Sequence, residues 1–126
     1  MDELRRALDG VVAIYLFGSS AQGTPHRSSD MDVAVLGPRP LTPAIRFDLQ
    51  ERLASRLGRD VDLLDLAAAT PVMGIQVVTG GALLYDGDSA VRGRFEDRTF
   101  GAYARLNEER RGILERIAEE GTVYGR

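Results

Sequence analysis

Leu16-Phe17-Gly18-Ser19-Ser20-Ala21-Gln22-Gly23 and, after a polar loop from Thr24 to Ser29, Asp30-Met31-Asp32-Val33-Ala34-Val35-Leu36 form the stretch that decides the fold. An apolar run leads into a Gly-Ser turn. Ten residues later a second apolar run opens with two carboxylates one residue apart. The first run, Val11 to Phe17, is continuous and rich in branched and aromatic residues, which suits a strand buried on both faces. The second starts with polar/apolar alternation and then turns wholly apolar. Side chains alternate along a strand, so Asp30 and Asp32 share a face.

Asp60-Val61-Asp62-Leu63-Leu64-Asp65-Leu66 reads as a third strand. Asp60 and Asp62 share one of its faces; Val61, Leu63 and Asp65 share the other. Carboxylates gathered at low dielectric repel, and one would have to take up a proton unless a cation joins them. Mg2+ is the natural partner, since it prefers oxygen ligands and is commonly held by one or two carboxylates together with substrate phosphates. Two such ions, about 4 Å apart, can activate an attacking oxygen and stabilise a leaving one. The Gly18-Ser19 turn adds backbone N–H groups for a phosphate, because glycine permits close approach and adjacent N–H groups form an anion-binding concavity.

The remaining elements frame these strands. Residues 2–9 read as a short helix carrying Leu4, Ala7 and Leu8, and Ser19 or Ser20 caps a brief helical turn. Thr42-Pro43 is an N-cap followed by proline at the first helical position, opening a helix to about Leu57 with Ile45, Leu49, Leu53 and Leu57 as its core stripe. Gly58 stops it. Thr70-Pro71 opens another helix through roughly Val78, closed by Gly80-Gly81, and Ala82 to Tyr85 is a short fourth strand. From Ser89 to Glu120 the pattern predicts one long helix or two stacked ones, with a non-helical tail from Gly121. The expected fold is therefore α/β (α+β): one domain over 1–126, a mixed sheet of about four strands flanked by helices, a core over 1–86 and a C-terminal helical segment over 89–120.

Composition narrows the function. Cysteine is absent, which excludes disulfides and thiolate metal sites. The net charge of −3 argues against general binding to nucleic-acid backbones. Every basic residue is arginine, so cationic contacts to phosphate must come from Arg or metal. The Met1-Asp2-Glu3-Leu4-Arg5-Arg6 start does not read as a signal peptide, and no apolar run is long enough to span a membrane. A cytoplasmic protein is expected.

Gly18-Ser19, ten residues, Asp30-x-Asp32 and the later Val61-Asp62-Leu63-Leu64-Asp65-Leu66 together resemble the minimal nucleotidyltransferases of the DNA polymerase β superfamily. The resemblance is strongest to the antitoxin members of HEPN–MNT toxin–antitoxin pairs. It extends through Gly81 to Tyr85 and the helix bearing Phe95, Tyr103 and Arg110, and so covers nearly the whole chain. It implies the nucleotidyltransferase fold, with Gly18 and Ser19, and Ser20 beside them, at the triphosphate of ATP. Asp30 and Asp32 would ligate both Mg2+ ions. Asp62 would be the third carboxylate, with Asp60, two residues away on the same face, as the alternative. The implied acceptor is a tyrosine hydroxyl on a HEPN ribonuclease toxin. Two other readings stand beside it: a non-catalytic antitoxin that blocks its toxin by binding, and a nucleotidyltransferase with a small-molecule acceptor. Asp65 reads as structural or exposed, His26 as a loop residue, and Arg27 and Arg46 as surface residues, with γ-phosphate contact as the alternative for the arginines. The Phe95, Tyr103 and Leu106 stripe reads as core, with a partner face as its alternative.

Overall fold

The apolar runs pair into one four-stranded mixed sheet, whose order is β3-β2-β1-β4. The computed structural model describes residues 10–18 and 31–123. Its strands are β1 (Ala13–Phe17), β2 (Met31–Leu36), β3 (Val61–Asp65) and β4 (Ala82–Asp86); its helices are α1 (Pro43–Leu57), α2 (Pro71–Gly80) and α3 (Ser89–Val123). β1 runs antiparallel to both β2 and β4, while β2 and β3 are parallel. The expected helix over 2–9 and the turn after Ser19 lie outside the described residues.

The central strands β1 and β2 are buried on both faces, which is why they read as continuous apolar runs. On one face Ile14, Val33, Val35, Val61 and Leu63 pack with Leu49 and Leu53 of α1. On the other, Ala13, Tyr15, Ala34, Leu36 and Leu66 pack with Val77 of α2, and Val91 and Phe95 of α3 lie against them. The result is a three-layer arrangement with a core on each side of the sheet.

The helix starts follow the sequence signals. Thr42 Oγ1 accepts from the Ile45 N–H at 3.2 Å, and Thr70 Oγ1 accepts from the Met73 N–H at 3.2 Å; proline follows each cap. Gly58 ends α1 at φ 66°, a left-handed conformation that disfavours other residues. Ile45 and Leu57 depart from expectation: they are 48% and 44% exposed, and only Leu49 and Leu53 of the stripe are buried. Each i+4 step turns about 40° around the axis of a helix with 3.6 residues per turn, so a four-member stripe winds off the core at both ends. Two further boundaries move. Leu66 leaves β3 for a 3-10 turn (Leu66–Ala68), capped by Asp65. The C-terminal element is one helix that continues through Val123, past the non-helical tail expected from Gly121.

A polar cluster fastens the first turns of α3. The Tyr15 hydroxyl donates to Glu96 Oε2 at 2.8 Å. Arg92 reaches Glu96 Oε1 at 3.0 Å and Asp86 Oδ2 at 3.1 Å, and the Ser89 hydroxyl donates to Asp86 Oδ2 at 2.6 Å. Burial, and then the neighbouring Glu96 carboxylate, push the Tyr15 phenol well above its ordinary pKa. Farther along, α3 is bare: Ile113, Leu114 and Ile117 are among its exposed apolar residues.

Candidate active site

Register decides which carboxylates meet. Phe17 of β1 lies opposite Asp32 of β2, and Asp32 lies opposite Asp62 of β3. The three form one row across neighbouring strands, at the end where β1 finishes and β2 and β3 begin. Alternation puts Asp32 on the face of Ala34 and Leu36, the face covered by α2 and α3. The row lies beyond the cover of that core: Asp32 is partly exposed and Asp62 is exposed. Asp60 precedes the strand, and its carbonyl accepts from the Met31 N–H at 2.9 Å. Asp62 is thus the β3 carboxylate opposite Asp32.

Gly18 continues β1 directly into this row. Its φ is 72°, a conformation L side chains rarely adopt. A Cβ placed on Gly18 would run into the Asp32 carboxylate. Gly18 is therefore packed against Asp32 in a way only glycine allows, and a side chain here would displace the carboxylate. Ser19, Ser20 and Asp30 lie outside the described residues.

The donor set suits a hard cation. Asp32 and Asp62 offer carboxylate oxygens from adjacent strands, the ligand type that Mg2+ prefers. Among the described residues no group of three or more His, Cys, Asp or Glu side chains gathers. Asp30, the third member of the expected set, is not one of those residues.

Other polar residues from the sequence take structural roles. Asp65 is buried; it accepts from the Leu41 N–H at 2.7 Å and the Ala67 N–H at 3.1 Å, tying the approach to α1 to the end of β3. Arg46 is not a free surface residue: its Nη1 donates to the Leu63 carbonyl at 3.2 Å, from the helix covering the face opposite Asp32 and Asp62. Gln50, not singled out from the sequence, accepts from the Leu63 N–H at 3.0 Å. Its position within α1, four residues after Arg46, was the only available signal.

The row and its glycine turn are the arrangement of a nucleotidyltransferase, and the chain belongs to the polymerase beta nucleotidyltransferase family, whose model matches residues 2–90. Beyond that core, the chain is similar to the protein adenylyltransferase MntA of Shewanella oneidensis: the two are 42% identical over 114 residues, spanning 90% of this chain and 81% of the relative. Two solved structures extend the likeness to three dimensions. One is a toxin-antitoxin with AMP-PNP, at 41% identity and a TM-score of 0.83, covering 93% of this chain and 94% of that one. The other is a tri-AMPylated Shewanella oneidensis HEPN toxin in complex with MNT antitoxin, at 36% identity and a TM-score of 0.76, covering 93% and 91%. Among the described residues no helix is long and apolar enough to cross a membrane.

Proposed function

We propose that this chain is a protein adenylyltransferase that serves as an antitoxin, transferring AMP from ATP to a tyrosine hydroxyl of a HEPN toxin. The observation that carries the reading is the Phe17–Asp32–Asp62 row closed by Gly18 at an exposed end of the sheet. The similarity over more than nine-tenths of the chain to antitoxins solved with their toxins, one with AMP-PNP, supplies the acceptor and the nucleotide. A cytoplasmic location would give such an enzyme its ATP.

The residues divide the work. The backbone N–H groups of the Gly18-Ser19 turn would hold the triphosphate, with Ser20 beside them. Asp32 and Asp62, with Asp30 at its sequence spacing, would hold two Mg2+ ions. Bound there, Mg2+ would neutralise triphosphate charge and lower the pKa of the acceptor phenol. Asp62, the most exposed of the row, takes the phenolic proton. The phenolic oxygen bonds to the α-phosphorus, the bond from that phosphorus to the oxygen bridging to the β-phosphate breaks, and pyrophosphate leaves. A docked partner protein would supply the binding energy and orientation that a pocket supplies for a small acceptor.

The test is intact-mass spectrometry of toxin incubated with this chain, ATP and Mg2+. Whole AMP units should appear on a tyrosine-containing peptide and vanish with Asp62→Ala. Neutralisation of the toxin without any mass change would instead establish inhibition by binding.

A further inference from the structure

β3 occupies one end of the strand order, with β2 on its inner side. A strand in that position turns every second residue's N–H and C=O away from the sheet. Leu63 is such a residue, and α1 satisfies both of its groups. Gln50 Oε1 accepts from the Leu63 N–H at 3.0 Å, and Arg46 Nη1 donates to the Leu63 carbonyl at 3.2 Å. Arg46 Nη1 also lies 3.4 Å from Gln50 Oε1, so the two side chains brace one another. Together they take the place of a missing neighbouring strand. The residue they grip directly follows Asp62.

We propose that Arg46 and Gln50 are positioning residues that fix Asp62 in height and register against Asp32, so that both carboxylates converge on the same cations. The inference rests on the reading of Asp32 and Asp62 as the metal-holding pair. Its physical basis is the narrow tolerance of the site. Mg2+ accepts little departure from octahedral geometry at ligand distances of about 2.0–2.1 Å. A strand bonded on one side only is free to shift or fray by more than that. β2 fixes the inner side of β3 through the parallel ladder, and the Gln50–Arg46 brace fixes the outer side at the adjoining residue. α1 does not depend on this brace for its own place, because Leu49 and Leu53 are buried against the sheet at 2% exposure each. The polar pair can therefore be removed while the helix stays docked.

The experiment compares wild type, Gln50→Leu, Gln50→Glu and Arg46→Met. Mn2+ affinity is read by electron paramagnetic resonance with AMP-PNP present, exchange of the Leu63 amide by NMR, and kcat and KM for ATP in toxin labelling. Gln50→Leu should speed Leu63 exchange, weaken Mn2+ about tenfold and lower kcat more than KM changes, the scale seen when partners of metal ligands are removed. Gln50→Glu keeps an acceptor for the Leu63 N–H and a partner for Arg46, and should restore all three readings. Arg46→Met should act in the same direction and serves as the test if Gln50→Leu does not fold. A folded Gln50→Leu or Arg46→Met protein with wild-type Mn2+ affinity and kcat overturns the proposal, as does a loss that Gln50→Glu fails to restore. Asp62→Asn keeps the two hypotheses apart. If it leaves Mn2+ binding unchanged, the carboxylate pair itself is misassigned; if it weakens binding while the brace variants do not, only the positioning role fails.

Discussion

The two ends of the strand order are held in different ways. β3 carries Asp62 and is gripped from outside by side chains of α1 bonded to its backbone at Leu63. β4 has Leu83 and Leu84 42% and 44% exposed on its two faces, and is tied down at its last residue, where Asp86 meets Arg92 of α3. One side fixes a strand so that a carboxylate stands still. The other fixes the root of a long helix and leaves the strand's own faces open. On the proposed reading of Asp62, positional tolerance accounts for the contrast: a metal-ligating carboxylate would need ångström-level placement, while a helix needs only to be anchored.

The largest expected effect falls on the β3 side. Asp32→Asn or Asp62→Asn should abolish AMP transfer while leaving the circular dichroism spectrum and melting temperature close to wild type. Each removes a charge from an incompletely buried position at the end of a strand while keeping the side chain's size. Full labelling by Asp32→Asn protein in the mass assay would sink the assignment.

The next effect is on stability. Leu53 is 2% exposed and packs with Val33, Val61 and Leu63 beneath β3. Leu53→Ala should cost about 2–5 kcal/mol, read as a shift in the urea midpoint with little change in slope. The same change at Leu57, 44% exposed on the same helix, should cost far less. Equal losses at the two positions would contradict the side-to-side burial described for α1.

On the β4 side the sharpest probe is Tyr15, whose hydroxyl joins the sheet to Glu96 of α3. Tyr15→Phe should cost about 1.5–3 kcal/mol, the scale of a hydrogen bond to a charged group. It should also change the response to alkali. The folded-state pKa of Tyr15 is raised above the unfolded value near ~10, so above that pH the unfolded chain loses a proton that the folded chain keeps. The Tyr15 contribution is therefore intact below about pH 10 and falls as pH rises beyond it. Denaturant titrations between neutral pH and pH 11 should show a shallower alkaline decline for Tyr15→Phe than for wild type.

These positions also mark what the sequence made legible. The Gly18-Ser19 to Asp30-x-Asp32 spacing pointed to the end of β1 and the start of β2 as the candidate site, and period-two alternation put Asp60 and Asp62 on one face. Only strand register could choose between those two, because pairing partners come from the far end of a crossover and leave no local trace. Caps at Thr42, Thr70 and Gly58 were readable because each depends on chemistry within a few residues. The exposure of Ile45 and Leu57 was not, since an apolar stripe does not reveal how wide a surface the opposing sheet presents. Gln50 and Arg46 were equally hidden: a polar residue on a helix looks the same whether it faces water or an outer strand's backbone. Tyr15 looked like one more core residue of its run, and its partner lies 81 positions away.

The smallest effect is expected where α3 leaves the body. Its anchorage lies in its first turns, at Val91, Arg92, Phe95 and Glu96, while Leu114 and Ile117 are 63% and 58% exposed. Exposed substitutions away from caps and ion pairs alter stability by no more than about 0.5 kcal/mol. Glutamine is also at least as good a helix former as isoleucine, so nothing local is lost. Leu114→Gln and Ile117→Gln, alone or together, should therefore leave the melting temperature of the isolated chain at its wild-type value, whereas Phe95→Ala should lower it clearly, because Phe95 packs against the buried cluster on that face. The measurement is thermal denaturation of wild type and these four variants at one protein concentration, repeated at a tenfold dilution. A loss at Ile117 rivalling that at Phe95 and independent of concentration would mean that the far half of α3 packs within the monomer. A loss that shrinks on dilution, as wild type itself sheds the stabilising contact, would mean that it is covered by another copy. No loss at either concentration leaves the helix anchored at its root alone, which is the contrast with β3 in its strictest form.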